Sequence, residues 1–174
     1  VRGWPERLAE RMQAADRPWA VVNAGIGGNR LLHQGSGPSG LERFDEDVLA
    51  VSGGRCLILL EGINDIGRPA RPAYAHQAVI PSDLIAGYRQ VIARARAQGF
   101  KVVLATLPPF EGADYYTAEG DLTRKAVNDW LRGDGVKAAD AVVDFDAAVR
   151  DPDHPERFRP ELHSGDWLHP SDAG

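Results

Sequence analysis

Residues 55–65 read Arg-Cys-Leu-Ile-Leu-Leu-Glu-Gly-Ile-Asn-Asp, a continuous apolar run that ends at a glycine and two polar residues. An uninterrupted apolar run of this kind is typical of a parallel strand that is buried on both faces. Three similar runs occur along the chain, at residues 19–23, 101–107 and 141–145. We therefore predict that all four runs are strands of one sheet. The strand in the stretch quoted above spans residues 55–61.

Helical patterns fill the intervals between these runs. Apolar residues recur at helical spacing in residues 4–14, 40–50, 84–95 and 122–131. Ser82 is predicted to cap the third of these helices. Regular strand–helix alternation predicts an α/β fold, a three-layer α/β/α sandwich with a mostly parallel, doubly wound, flavodoxin-like sheet.

Composition indicates one globular domain, taken as residues 1–174. The chain is 43% apolar, which is enough to bury a sizeable core. Its net charge of −5 argues against a nucleic-acid partner, and no apolar stretch approaches the roughly 20 residues that span a bilayer. The single cysteine, Cys56, is predicted to be a buried, inert thiol. The oligomeric state stays open.

Both ends of the sequence have the character of an internal fragment. The chain begins at Val1 without a methionine or a signal-peptide pattern, and it stops just after the helix-start signal Ser171-Asp172. We therefore expect the domain to be incomplete at both ends. The missing signal peptide leaves the localisation open, secretion included.

Two turns rich in glycine and asparagine follow predicted strands. Residues 23–30 read Asn-Ala-Gly-Ile-Gly-Gly-Asn-Arg, and Arg30 stands where a dinucleotide-binding turn needs glycine. A glycine here either serves a tight turn or offers its N–H to an oxyanion. Asn64 follows strand 55–61, where its amide can donate to an oxyanion or make an ordinary turn with Asp65. Asp65 is predicted to hold the loop through backbone hydrogen bonds.

A carboxylate and an imidazole stand three residues apart near the end of the chain, in Asp166-Trp-Leu-His169. Gly165 and Pro170 bracket them and disfavour a regular helix. A carboxylate that orients a histidine and stabilises its imidazolium is two-thirds of a nucleophilic triad. A metal site formed with His163 is the alternative, since a helix would gather the three side chains on one face.

In this order the three motifs resemble the second, third and fifth sequence blocks of the SGNH (GDSL-type) hydrolase family, which contains esterases, lipases, thioesterases and carbohydrate deacetylases. The match extends from residue 23 to residue 170. The resemblance implies that Gly28 and Asn64 form the oxyanion hole, that His169 is the general base and that Asp166 is its acidic partner. It also implies a small-molecule or carbohydrate ester as substrate, with no metal and no organic cofactor.

The Gly-Asp-Ser block that carries the nucleophile of this family does not occur in the sequence. The serines present are Ser36, Ser39, Ser52, Ser82, Ser164 and Ser171, and none has the expected position. The first strand of the family's sheet, with its serine, is therefore expected upstream of Val1, so that residues 1–174 alone should not hydrolyse esters. A catalytically inactive glycan- or acyl-binding module of the same fold is the alternative.

Long irregular stretches at residues 67–80, 108–120 and 152–167 are expected to border the site. They contribute Tyr74, Phe110, Tyr115, Tyr116, Phe158 and Trp167. These residues suggest a partly aromatic crevice that suits sugar or aryl esters. We expect Gly28, Asn64, Asp166 and His169 to converge at the carboxyl edge of the sheet.

Overall fold

The computed structural model describes residues 3–17 and 19–174 and has a mixed α/β fold. Its sheet contains three parallel strands in the order β1-β2-β3, formed by Cys56–Leu59, Lys101–Ala105 and Ala141–Val143. Cys56 pairs with Lys101, and Val103 pairs with Ala141. The predicted α/β class with a parallel sheet is confirmed, and three of the four predicted strands are present.

Six helices lie in the described part of the chain: α1 (Trp4–Ala14), α2 (Ile63–Gly67), α3 (Pro81–Ala97), α4 (Ala118–Trp130), α5 (Val136–Ala138) and α6 (Phe145–Val149). Single π-helical turns occur at Asp45–Leu49 and Leu131–Gly135, and 3₁₀ turns at Arg68–Ala70 and Pro72–Gln77. The helix predicted over residues 40–50 is thus reduced to one π-helical turn.

The start of α3 differs from the prediction. The helix begins at Pro81, a residue that suits the first helical position because its missing N–H needs no partner there. The Asp83 carboxylate accepts a hydrogen bond from the Ile80 N–H at 3.0 Å. Ser82 therefore lies inside the first turn and is not the cap.

The core forms where α3 packs against the sheet. The predicted inner face of α3 is buried in full, through Leu84, Tyr88, Val91, Ile92 and Ala95. On β2, Val102 and Leu104 are 0% and 1% exposed. This apolar contact holds the carboxyl ends of β1 and β2, and the loops that follow them, in fixed positions.

Residues 19–23, the fourth predicted strand, have no regular secondary structure. Trp19 and Val22 are 53% and 65% exposed. The segment lines a groove of about 820 Å³ together with β1 and with Leu8 and Met12 of α1. We call this cavity the β1 groove. A strand needs a hydrogen-bonding neighbour, and among the described residues none lies across the groove beside residues 19–23.

The same groove explains why the prediction of a buried Cys56 is wrong. β1 pairs with β2 on one side only, so its other edge faces the groove. Cys56 lines this groove and is exposed. Partial burial nevertheless raises the pKa of the thiol, and Asp140 adds to the effect.

The helices were compared with the length and hydropathy of a transmembrane span. Among the described residues, none of them combines the length and the apolar character that a bilayer crossing requires.

Candidate functional site

Asp166 and His169 form a hydrogen-bonded pair in the loop near the end of the chain. Asp166 Oδ2 lies 2.6 Å from His169 Nδ1, while Oδ1 accepts the N–H groups of Leu168 and His169 at 3.0 and 2.9 Å. Partial burial opposes ionisation of Asp166, but these hydrogen bonds outweigh it and lower its pKa well below the usual range. The ionised carboxylate keeps the proton of the imidazole on Nδ1. The opposite nitrogen, Nε2, has no hydrogen-bond partner among the described residues and is free to accept a proton.

His163, in the same loop, makes structural contacts with its neighbours. Its Nδ1 accepts the N–H groups of Gly165 and Trp167 at 3.0 and 3.3 Å, and its ring stacks on that of Trp167 at 4.0 Å between centroids. These contacts shape the turn that presents Asp166. Over residues 3–17 and 19–174, no group of three or more His, Cys, Asp or Glu side chains is arranged to hold a metal ion.

Asn64 contacts the turn that contains Gly28, although 36 positions separate the two residues. The Asn64 amide nitrogen donates to the carbonyl oxygen of Asn29 at 3.0 Å. Gly28 has φ +75°, and a Cβ there would lie 2.9 Å from Ser36 Oγ, so the position requires glycine. Its carbonyl accepts from Arg68 Nη2 at 2.9 Å, and within the described ranges its N–H has no recorded acceptor.

Asp65 fixes the loop that contains Gly28. Its two carboxylate oxygens accept the N–H groups of Leu31 and Leu32 at 2.7 and 2.9 Å. The Asn29 side chain closes the same loop by donating to the carbonyl oxygens of Ser36 and Pro38, both at 2.8 Å. The structural role predicted for Asp65 agrees with these contacts.

The loop of residues 106–117 contacts Asn64 and also Trp167, which lies between Asp166 and His169 in the sequence. Tyr115 Oη donates to Asn64 Oδ1 at 3.0 Å, and the Trp167 ring packs against Gly112. The Glu111 N–H also donates to the Glu156 carbonyl at 2.9 Å. No direct hydrogen bond joins His169 to Gly28 or Asn64 in the part of the chain described. The two pairs are therefore connected through this loop, which follows β2 at the carboxyl edge of the sheet.

Three of the six aromatic residues expected to line a crevice are buried instead. Phe110 and Phe158 are 0% and 1% exposed and belong to the interior, and Tyr115 is 8% exposed. Tyr74 lies 5.6 Å from the guanidinium carbon of Arg68, against which its ring packs. Parts of these loops fold back onto the core and bury their aromatic side chains. The three that stay partly exposed are Tyr74, Tyr116 and Trp167.

Comparison with known proteins identifies the family. The GDSL-like lipase/acylhydrolase family matches residues 1–174. The chain belongs to this family. A search of curated proteins found no match.

Solved structures of GDSL-type proteins share the fold. One is a GDSL-like lipase from Bacteroides thetaiotaomicron, with 21% identity and a TM-score of 0.61, covering 76% of this chain and 61% of that chain. An acetyl xylan esterase has 20% identity and a TM-score of 0.71, with coverage of 100% and 86%. A variant of an acetyl xylan esterase from Geobacillus stearothermophilus has 22% identity and a TM-score of 0.72, with coverage of 99% and 75%. The chain thus spans 61% of the length of the first and more of the others.

Glu61, just after β1, is a buried titratable residue that its place in the sequence did not single out. It follows β1 and lines the β1 groove, where Oε1 lies 3.9 Å from Arg43 Nη2. Burial, and then the charge of Asp65, raise the pKa of Glu61 to about 7, although Arg43 opposes the shift. The proton on Glu61 therefore stabilises the folded chain, because the unfolded carboxyl group binds it more weakly.

Replacing Glu61 with glutamine should alter the pH dependence of stability. The folded pKa lies above the unfolded value, so this stabilisation is present below pH 4.5 and is lost as the pH rises through about 7. Glu61→Gln should raise the free energy of unfolding at pH 8 by about 1–3 kcal/mol and change it little at low pH. Urea unfolding at pH 5 and 8 measures this, with the exposed Glu46→Gln as control. Equal shifts at both pH values would show that Glu61 is not the titrating group.

Proposed function

We propose that the protein is a serine esterase that cleaves carboxylic esters, with Asp166 and His169 as two members of its catalytic triad. The hydrogen bond of 2.6 Å between Asp166 Oδ2 and His169 Nδ1 carries the proposal, because it leaves Nε2 as the proton acceptor. Asp166 holds the tautomer and stabilises the imidazolium when the proton arrives. Membership of the GDSL-like family supports the reaction class.

The reaction proceeds through an acyl-enzyme. A serine hydroxyl attacks the carbonyl carbon of the ester, and its proton passes to His169 Nε2. The tetrahedral intermediate collapses, and the leaving alcohol takes this proton as the C–O bond breaks. Water then attacks the acyl-enzyme with His169 again as base, which releases the carboxylic acid and restores the serine.

Gly28 and Asn64 supply the oxyanion hole in this mechanism. The N–H of Gly28 has no recorded acceptor within the described ranges, and one of the two Asn64 amide hydrogens is left after the bond to Asn29. In the proposed mechanism both groups donate hydrogen bonds to negative charge that develops mainly in the transition state. The loss of one such donor costs on the order of 10² to 10³ in kcat.

The β1 groove is the place where we expect the nucleophile to arrive. The groove has the open edge of β1 on one side and residues 19–25 on the other. We propose that it takes a β-strand that is not among these 174 residues, that precedes Val1 in the protein and that carries the nucleophilic serine at its carboxyl end. Glu61 and Gly25, which both line the groove, mark the end where a strand parallel to β1 would leave it.

Carbohydrate acetyl esters are the substrate class that we propose. Two of the structures that share this fold are acetyl xylan esterases, and the proposal of the substrate rests on that likeness. The hydrolysis of a short acyl ester requires no long acyl-binding channel. The acetate released from acetylated xylo-oligosaccharides would measure this activity directly.

The deciding experiment compares residues 1–174 with the protein extended through the groove strand. The extended protein should hydrolyse p-nitrophenyl acetate, and residues 1–174 should not. Cys56, the only cysteine, is an internal reporter, because its thiol is exposed in the groove. Its rate of modification by a thiol reagent should fall at least tenfold in the extended protein. Hydrolysis without protection of Cys56 would place the nucleophile elsewhere.

A binding module without catalytic activity is the second candidate, and one observation favours it. None of the six serine hydroxyls, all of which lie in described ranges, donates a hydrogen bond to the imidazole of His169. Ser171 is the nearest in sequence, and its hydroxyl donates to the Glu161 carbonyl at 3.0 Å. The hydroxyl of Ser164 donates to Asp166 Oδ1 at 3.2 Å. If the extended protein binds acetylated xylo-oligosaccharides without releasing acetate, and His169→Ala leaves that binding unchanged, this second candidate is correct.

A further inference from the structure

Tyr115 is the one side chain of the 106–117 loop that reaches a proposed catalytic group directly. Its hydroxyl donates to Asn64 Oδ1 at 3.0 Å across a sequence separation of 51 residues. The side chain is 8% exposed, and burial raises the pKa of the phenol well above its ordinary value, so the hydroxyl remains a donor at any working pH.

The neighbours of Asn64 determine which way its amide faces. The Asn29 carbonyl can only accept a hydrogen bond, so the amide nitrogen of Asn64 must face it. Oδ1 is then on the opposite side, where the Tyr115 hydroxyl donates to it. With both atoms held, one hydrogen of Nδ2 is left with a fixed direction.

Helix α2 is built to receive this tyrosine. Gly67 lies one turn after Asn64, and a Cβ there would collide with Cδ2 of the Tyr115 ring. Only glycine therefore lets the ring lie against the helix with its hydroxyl at Asn64. On its other side the ring contacts that of Phe110, which is fully buried, at 6.1 Å between centroids.

We infer that Tyr115, seated on Gly67, is a positioning residue that orients the Asn64 amide toward the oxyanion. The inference rests on the proposed function, since it assigns Asn64 a role in the transition state. An amide that is already oriented does not have to rotate during the reaction, whereas a free amide would. The hydroxyl touches neither substrate nor reacting atoms, so its effect on rate passes through Asn64.

Kinetics of the extended protein test the inference with a double-mutant cycle. Tyr115→Phe should lower kcat by about 3- to 10-fold, the worth of one ordinary hydrogen bond, with KM nearly unchanged. In an Asn64→Ala background the same substitution should have no further effect, because its target is gone. Tyr116→Phe is the matched control, because the Tyr116 hydroxyl makes no hydrogen bond to any of the described residues. Equal losses from Tyr115→Phe in both backgrounds would overturn the inference.

A second measurement decides the question without esterase activity. In residues 1–174, hydrogen exchange of the Asn64 side-chain NH₂, followed by NMR, should be several-fold faster in Tyr115→Phe than in the parent chain. Gly67→Ala should have the same effect, because it displaces the ring while it keeps the hydroxyl. Unchanged exchange in a folded Tyr115→Phe chain refutes positioning, whatever the fate of the proposed activity. Faster exchange in residues 1–174, together with an extended protein that lacks esterase activity, supports positioning and rejects only the proposed function.

Discussion

Replacing His169 with alanine is expected to lower kcat of the extended protein for p-nitrophenyl acetate by on the order of 10⁴-fold. Among the described residues, this imidazole is the only one that is paired with an ionised carboxylate while its other nitrogen stays open. Without it, the serine hydroxyl must lose its proton to water. The fold should not change, because the His169 side chain is 65% exposed.

His154→Ala is the matched control, since this histidine is exposed and lies in the same C-terminal loop. It should keep full activity. A chelator should also leave hydrolysis unchanged, whereas a metal site at His163 and His169 would lose its activity. If His169→Ala retains more than about a hundredth of the rate, with its circular dichroism spectrum intact, His169 is not the general base.

The parts of the site that rest on local sequence were predictable. The apolar run at residues 55–61 placed β1, and the Asn64 turn that follows it could be assigned to the carboxyl edge. The Asp166–His169 bond spans three residues within a turn delimited by Gly165 and Pro170, so its partners had few other choices.

Other features depend on contacts between distant residues, for which one sequence carries no pattern. Tyr115 contacts Asn64 only because the loop after β2 folds over α2. The residues next to Tyr115 in the sequence contain no pattern that predicts this contact. Residues 19–23 have the composition of a strand, but composition does not supply the neighbour that pairing requires. Cys56 was misplaced for the same reason, since its exposure depends on what lies beside β1.

Removing the Asp146 carboxylate is expected to have the largest effect on stability. Asp146 is 3% exposed and accepts hydrogen bonds from Arg124 at 2.7 Å, Arg132 at 2.5 Å and Arg150 at 3.0 Å. Arg124 is itself 1% exposed, so Asp146→Ala leaves a buried cation short of one of its partners. Breaking a buried pair of this kind costs about 3–5 kcal/mol. For a domain of this size, that loss corresponds to a decrease in Tm of roughly 6–20 °C.

The same substitution should also loosen the loop that carries Tyr115. Arg124 Nη1 donates to the Leu107 carbonyl at the base of this loop. Thermal unfolding of Asp146→Ala and Asp134→Ala forms a matched comparison. Asp134 pairs with Lys137 at 2.9 Å, but both side chains are more than 60% exposed, so this change should leave Tm unaltered. If the two variants unfold at the same temperature, the buried network is not what holds this edge of the sheet. If only Asp146→Ala is destabilised, Asn64 side-chain exchange should also accelerate in it below its transition, since the loop that supports Tyr115 has then lost its anchor.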